Sequence, residues 1–152
     1  KVFRGISNLT VDTKGRIAVP TKYRDEINSD HSGEMMLTVD HAEKCLVLYP
    51  ISQWEETEHK LMSLPNLSGA VRGMKRLILG HASEVEMDGQ GRLMISAPLR
   101  DYALMEKKIV LVGQGNKFEL WDEEAWNARR EDMREAAPVN IENDESLKGL
   151  SI

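Results

Sequence analysis

Two arginines stand in the same chemical setting 76 residues apart. Arg16 and Arg92 each complete the frame Asp-x-x-Gly-Arg-aliphatic-x-aliphatic, once as Asp12-Thr13-Lys14-Gly15-Arg16-Ile17-Ala18-Val19 and once as Asp88-Gly89-Gln90-Gly91-Arg92-Leu93-Met94-Ile95. The Asp of such a frame can hydrogen-bond its own turn, and the Gly supplies a backbone with positive φ, so each copy predicts a hairpin tip. An arginine just past the bend can donate a bidentate pair of hydrogen bonds to O6 and N7 of a guanine. Arg16 is the leading candidate for such a base contact, with Lys14 at the tip able to reach a phosphate or a base. Gly15, lacking a side chain, would let the backbone come close. Arg92 offers a second, weaker contact. Arg4 and Lys22 are candidates for phosphate contacts, which position a protein without reading sequence. Asp12, Asp88 and Gly91 are assigned to the turns themselves.

Blander readings of these residues compete. Asp12 and Asp88 can cap the turn or pair with the neighbouring arginine, and for Arg16 the alternative is a surface ion pair worth about 0–1 kcal/mol. Arg24-Asp25 and Arg100-Asp101 extend the repeat at the same offset and suit ion-pairing or packing on a short helix. Trp54 and Trp126 sit at matching helix starts, where anchoring to a core is the better reading than base stacking.

The elements that must hold these residues follow from periodicity. Alternating apolar residues predict strands over 8–12 and 16–19, with Leu9, Val11, Ile17 and Val19 on one face. A short helix follows over 21–27, then a hairpin of strands over 35–39 and 45–49. Ser52-Gln53-Trp54-Glu55 reads as a capping box opening a helix toward Leu64. Helical spacing over 70–79 supplies the connection to the second copy. There, strands are expected over 83–87, 92–95, 108–112 and 117–121, and a last helix from 122 to about 136. Leu48 to Trp54 match Leu120 to Trp126 at an offset of 72, which places four extra residues in the first copy, around 28–34. Three segments are expected: a first repeat with linker helices over 1–76, a second over 77–138, and a flexible acidic tail over 139–152. Halves this small are expected to fold against each other.

Charge is unevenly spread along the chain. The net charge of −5 argues at first against a nucleic-acid partner, yet residues 1–76 carry 11 basic and 10 acidic side chains while residues 77–152 carry 9 and 15. Lys1, Arg4, Lys14, Arg16, Lys22 and Arg24 stand against Asp12 alone over the first 24 residues. The lone Cys45 cannot form an internal disulfide and lies in an apolar run, which suits a buried strand and a reducing cytoplasm. No secretory or membrane-spanning segment is expected.

The chain resembles the MraZ family of bacterial transcriptional regulators. The residues that carry the resemblance are Phe3-Arg4-Gly5, Asp12-x-x-Gly15-Arg16-Ile17-x-Val19-Pro20-x-x-x-Arg24, Leu79-Gly80-His81-Ala82 and Gly113-Gln114-x-Asn116-Lys117-Phe118-Glu119-Leu120-Trp121. The Asp-x-x-Gly-Arg core alone is shared with the wider AbrB-like group of DNA-binding proteins. The resemblance implies an α+β, mainly β fold in which two tandem swapped-hairpin repeats form a small double-psi-like barrel with flanking helices. It also implies a closed ring of subunits, binding to direct repeats in double-stranded promoter DNA, repression of the division and cell-wall gene cluster, and a place in the cytoplasm at the nucleoid. Gln90 in place of Lys14 and Ser96 in place of Pro20 set the second hairpin apart from the first.

Other chemistries find less support. Glu84, Glu86 and Asp88 alternate along a strand and could hold a divalent metal or act as an acid–base pair, although a solvated strand face is commoner. His41 and Cys45 are four apart with no second pair at zinc spacing, and His31, His59 and His81 are scattered. The glycines of Asp88-Gly89-Gln90-Gly91 match neither the Walker pattern nor the dinucleotide fingerprint. No nucleophile is placed with a base, so no enzyme, cofactor or metal is expected. An assembly module in which the repeats only build rings remains the main rival, favoured if Arg16 proves paired and the tips face inward.

Overall fold

The computed structural model describes residues 2–152; Lys1, counted above among the basic residues, lies outside them. The first copy contributes β1 (Ile6–Thr10), β2 (Arg16–Ala18), α1 (Thr21–His31), β3 (Glu34–Val39), β4 (Leu46–Pro50) and α2 (Ile51–Met62). After α3 (Gly69–Ile78), the second copy contributes β5 (Ser83–Glu86), β6 (Arg92–Met94), α4 (Ala97–Tyr102), β7 (Lys108–Gly113), β8 (Phe118–Asp122) and α5 (Glu123–Asn143). The four extra residues of the first copy lengthen its short helix, since α1 has 11 residues and α4 has 6.

Pairing crosses between the copies. The main sheet is antiparallel in the order β1-β7-β8-β4-β3-β5, and β2 pairs with β6 in a separate ribbon. β1 thus completes the second copy's hairpin and β5 the first copy's, which is the swapped arrangement. Two facing pairs, Val47 with Glu119 and Ile17 with Leu93, are each made of repeat equivalents, so a pseudo-two-fold axis runs through both. Two expectations change here. β1 and β2 were expected to pair with each other, and they do share a tight turn, but Ile17 and its neighbours are taken up by β6. For the same reason the strands close no barrel: the three-residue β2 and β6 bond only to one another and leave β1 and β5 as edges.

Burial explains the layering. One face of the main sheet and the inner face of the ribbon enclose a core that includes Ile17, Leu93, Ile109, Leu111, Phe118 and Leu120. The other face is covered by helices through repeat-equivalent ring pairs, Tyr49 with Trp54 at 5.4 Å and Trp121 with Trp126 at 5.6 Å. Both tryptophans are buried anchors, as expected. Thr38, buried among these residues, donates to the carbonyl of Ile78 at 2.7 Å and ties α3 to the sheet.

Two helix ends differ from expectation. α2 starts at Ile51, after Pro50, with no side-chain cap, because the fixed φ of proline already directs the chain into the helix; Ser52 therefore sits inside the first turn. α5 continues to Asn143 through Pro138, beyond the expected stop near 136 and into the segment expected as a tail. The helix-forming run Met133-Arg134-Glu135-Ala136-Ala137 carries it to Pro138, which removes one backbone donor and sets its ring against the carbonyl of Arg134.

Candidate nucleic-acid interface

Each tip is held by its aspartate. Asp12 Oδ1 accepts from the amides of Lys14 and Arg16, both at 2.9 Å, while Oδ2 accepts from Arg16 Nε at 2.8 Å. Asp88 repeats the pattern with Gln90, Arg92 and Arg92 Nε, each at 2.9 Å. The carboxylate is thus capping the turn and gripping the arginine from the side. Among the described residues the guanidinium of Arg16 makes no other hydrogen bond, so both Nη groups remain available to a ligand.

The same bonds set the acidity of the tip. The backbone amide of Arg16 does most to lower the pKa of Asp12 from 3.8 to about 2; desolvation opposes it, and the Arg16 side chain and the amide of Lys14 add to the lowering. Asp88 is lowered in the same way, chiefly by the amide of Arg92. A depressed carboxylate adds stability that is complete above its unfolded pKa and disappears as pH falls through the folded one. Thermal stability measured by circular dichroism should therefore fall more steeply for the wild type than for Asp12→Asn between pH 3.8 and about 2.

The glycines answer to the opposite copy. Gly15 has φ +84°, and a Cβ built on it would collide with Nη1 of Arg100, which itself donates to the carbonyl of Ile95 at 2.5 Å. Gly91, at φ +75°, likewise seats Arg24, whose Nε donates to the carbonyl of Val19 at 2.7 Å. Arg24 and Arg100 are thus packing residues that lock each copy over the other's turn. The closeness that Gly15 permits is to Arg100. Gly15→Ala should cost about 1–2 kcal/mol from the left-handed backbone alone, with displacement of Arg100 adding to it, read as a drop in the urea midpoint.

The ribbon brings the two arginines together. Arg16 faces Met94 and Ala18 faces Arg92, while Ile17 and Leu93 between them point into the core at 1% and 2% exposure. Because facing residues and residues two apart share a side, Arg16, Ala18, Arg92 and Met94 all lie on the outer face. Arg16 and Arg92 are diagonal neighbours there, about 7–8 Å apart at the backbone by standard sheet geometry. In the sequence the two arginines stand at the tips of separate hairpins, and Ala18 and Met94 carry no mark of a site. The alternation Arg-Ile-Ala and Arg-Leu-Met was the available signal, but only once the two copies were paired.

The remaining candidates fall elsewhere. Lys14 is exposed at the first tip. Arg4 and Lys22 line a shared shallow hollow with Asp25, Glu26 and Ser29, at the end of β1 remote from the tip, and Lys22 Nζ lies 5.0 Å above the Tyr23 ring. Asp88 is engaged in its turn, so the acidic strand offers Glu84 and Glu86 beside Glu34 and Glu55 around a separate hollow. Among the described residues, ligand atoms converge instead at Asp40, Cys45 and Glu119. There Asp40 Oδ2 accepts from the amides of Ala42 and Glu43, and Glu119 accepts from Trp121 Nε1 at 3.0 Å. Burial, followed by the nearby carboxylates, pushes the Cys45 thiol up, and burial also raises Glu119. These three read as a structural cluster under α5.

Among the described residues no helix is long and apolar enough to cross a membrane. Comparison with known proteins agrees with the two-copy architecture. A family model described as "MraZ protein, putative antitoxin-like" matches residues 2–77 and again 78–145. A protein of Halorhodospira halophila named transcriptional regulator MraZ is 48% identical over 152 residues, covering 99% of this chain and 100% of its own length. Proteins of the same name from Thioalkalivibrio sulfidiphilus and Hydrogenovibrio crunogenus are also 48% identical, over 151 and 150 residues, with 99% of this chain and 100% and 98% of their own lengths covered. Matched along nearly its whole length in both comparisons, the chain belongs to the MraZ family, whose named members are transcriptional regulators.

Proposed function

We propose that this protein is a sequence-specific DNA-binding transcriptional regulator that reads promoter DNA through the outer face of the β2·β6 ribbon. The observation that carries this reading is the placement of Arg16 and Arg92 side by side on an outward face two strands wide. A two-stranded ribbon fits the major groove, where an arginine fork can bond guanine O6 and N7. The aspartate grip on Nε orients each fork in advance, which reduces the side-chain entropy lost on binding. Lys14 then contacts a phosphate beside the ribbon, and Arg4 and Lys22 serve phosphates farther along the duplex. No chemistry of bond cleavage is called for.

A subunit with net charge −5 and one small cationic face binds DNA weakly by itself. Several copies joined in a closed ring would raise the effective concentration of each later contact, with gains of about 10² to 10⁴. The target is then a series of direct repeats, and occupancy of a promoter would exclude polymerase and repress, in the cytoplasm at the nucleoid. The Arg16–Asp12 pair also fits the rival assembly module, in which the arginine serves only the turn. Duplexes carrying one to four repeats decide between them by fluorescence anisotropy. Affinity should rise steeply with repeat number; a flat series would favour the rival.

A further inference from the structure

The outer face of the ribbon carries one large apolar side chain that the core does not use. Met94 is 48% exposed, directly opposite Arg16 and two residues from Arg92 on its own strand. The amides of Ile95 and Val19 donate to the carbonyls of Gly15 and Gly91, both at 2.8 Å, and these bonds bracket the Arg16–Met94 and Ala18–Arg92 pairs. Both are therefore non-hydrogen-bonded pairs, in which facing side chains approach most closely. Across the pseudo-two-fold axis, the position of Met94 is taken by Ala18 and that of Lys14 by Gln90.

An apolar side chain set between two cationic forks is suited to a surface that alternates polar edges with an apolar group. In the major groove that group is the 5-methyl of thymine, the sole alkyl substituent on the base edges. We propose that Met94 covers the 5-methyl group of a thymine next to the base read by Arg16, and that Ala18 at the related position gives the ribbon a direction. With identical halves, the ribbon would match an element of its own two-fold symmetry. The Met94/Ala18 and Lys14/Gln90 differences break that symmetry, so the face reads a non-palindromic element, and an array of such elements is a set of direct repeats. This inference rests on the DNA-binding reading above.

Its test starts with duplexes selected from a random pool by the wild-type protein. Each thymine of the selected element is replaced singly by deoxyuridine, which removes only the methyl, and affinity is measured for wild type and Met94→Ala. At one position deoxyuridine should weaken the wild type about four-fold, the effect of exposing one methyl. Met94→Ala should bind the unmodified duplex with a similar loss and show no further loss at that position. Its melting temperature should match the wild type, because Met94 lies outside the core. A selected element without thymine, or equal losses for both proteins at every position, would overturn the role of Met94 while leaving the DNA reading intact. A wild type that prefers no selected duplex over a scrambled one would overturn both.

Discussion

Arg16→Ala is expected to lose about 5- to 150-fold in affinity for the direct-repeat duplex, the worth of one bidentate arginine–guanine pair, while its binding to scrambled DNA changes far less. In a ring the same change falls on every subunit, so the measured loss should lie toward the upper end. The fold should hardly notice. The pair with Asp12 is partly exposed, with side-chain exposures of 26% and 37%, and such pairs contribute about 0–1 kcal/mol. Lys14→Ala supplies the contrast. Loss of a phosphate contact should weaken selected and scrambled duplexes alike and reduce the salt slope by about 1. Affinities of the two variants on the two duplexes, with melting temperatures alongside, separate a base reader from a structural residue.

Phe118→Ala should have the largest effect on stability, about 3–5 kcal/mol in urea unfolding. Phe118 is fully buried, its ring 4.3 Å from Phe3 and 4.9 Å from Tyr23, and it begins β8, the second copy's strand at the centre of the sheet. Phe3 and Tyr23 belong to the first copy, so the cavity would open where the two copies interlock. Tyr23 also donates its hydroxyl to the carbonyl of Arg4, which fixes the chain entering β1. Loss of this cluster should loosen β1 where it joins the second copy's hairpin.

What could be read from the sequence follows the range of the interactions. The Asp-x-x-Gly-Arg turns depend on neighbours two to four residues away, and their hydrogen bonds are the ones the residue types suggest. The strands and helices were mostly legible for the same reason, as periodicity is local. Pairing was not. β2 finds its partner 76 residues later, and nothing in Arg16-Ile17-Ala18 alone says that it will lie against Arg92-Leu93-Met94 rather than against β1. The true neighbour of Gly15, Arg100, was hidden by the same distance, and so was the shared outer face of Arg16 and Arg92. Arg4 and Lys22 stand out in sequence as basic residues suited to phosphates, but that they share one hollow with Asp25 and Glu26 depends on how β1 and α1 lie together, which their types do not say.

Whether the ribbon face reads sequence is decided by wild-type affinity for a direct-repeat promoter duplex and for its scrambled counterpart across a salt series. The logarithm of affinity should fall linearly with the logarithm of salt concentration on both duplexes, as phosphate contacts require, and the preference for the repeats should persist at every salt concentration. Equal affinity for the two duplexes, or no binding to either, would contradict sequence reading by the ribbon and leave Arg16 and Arg92 as parts of a turn that serves assembly alone.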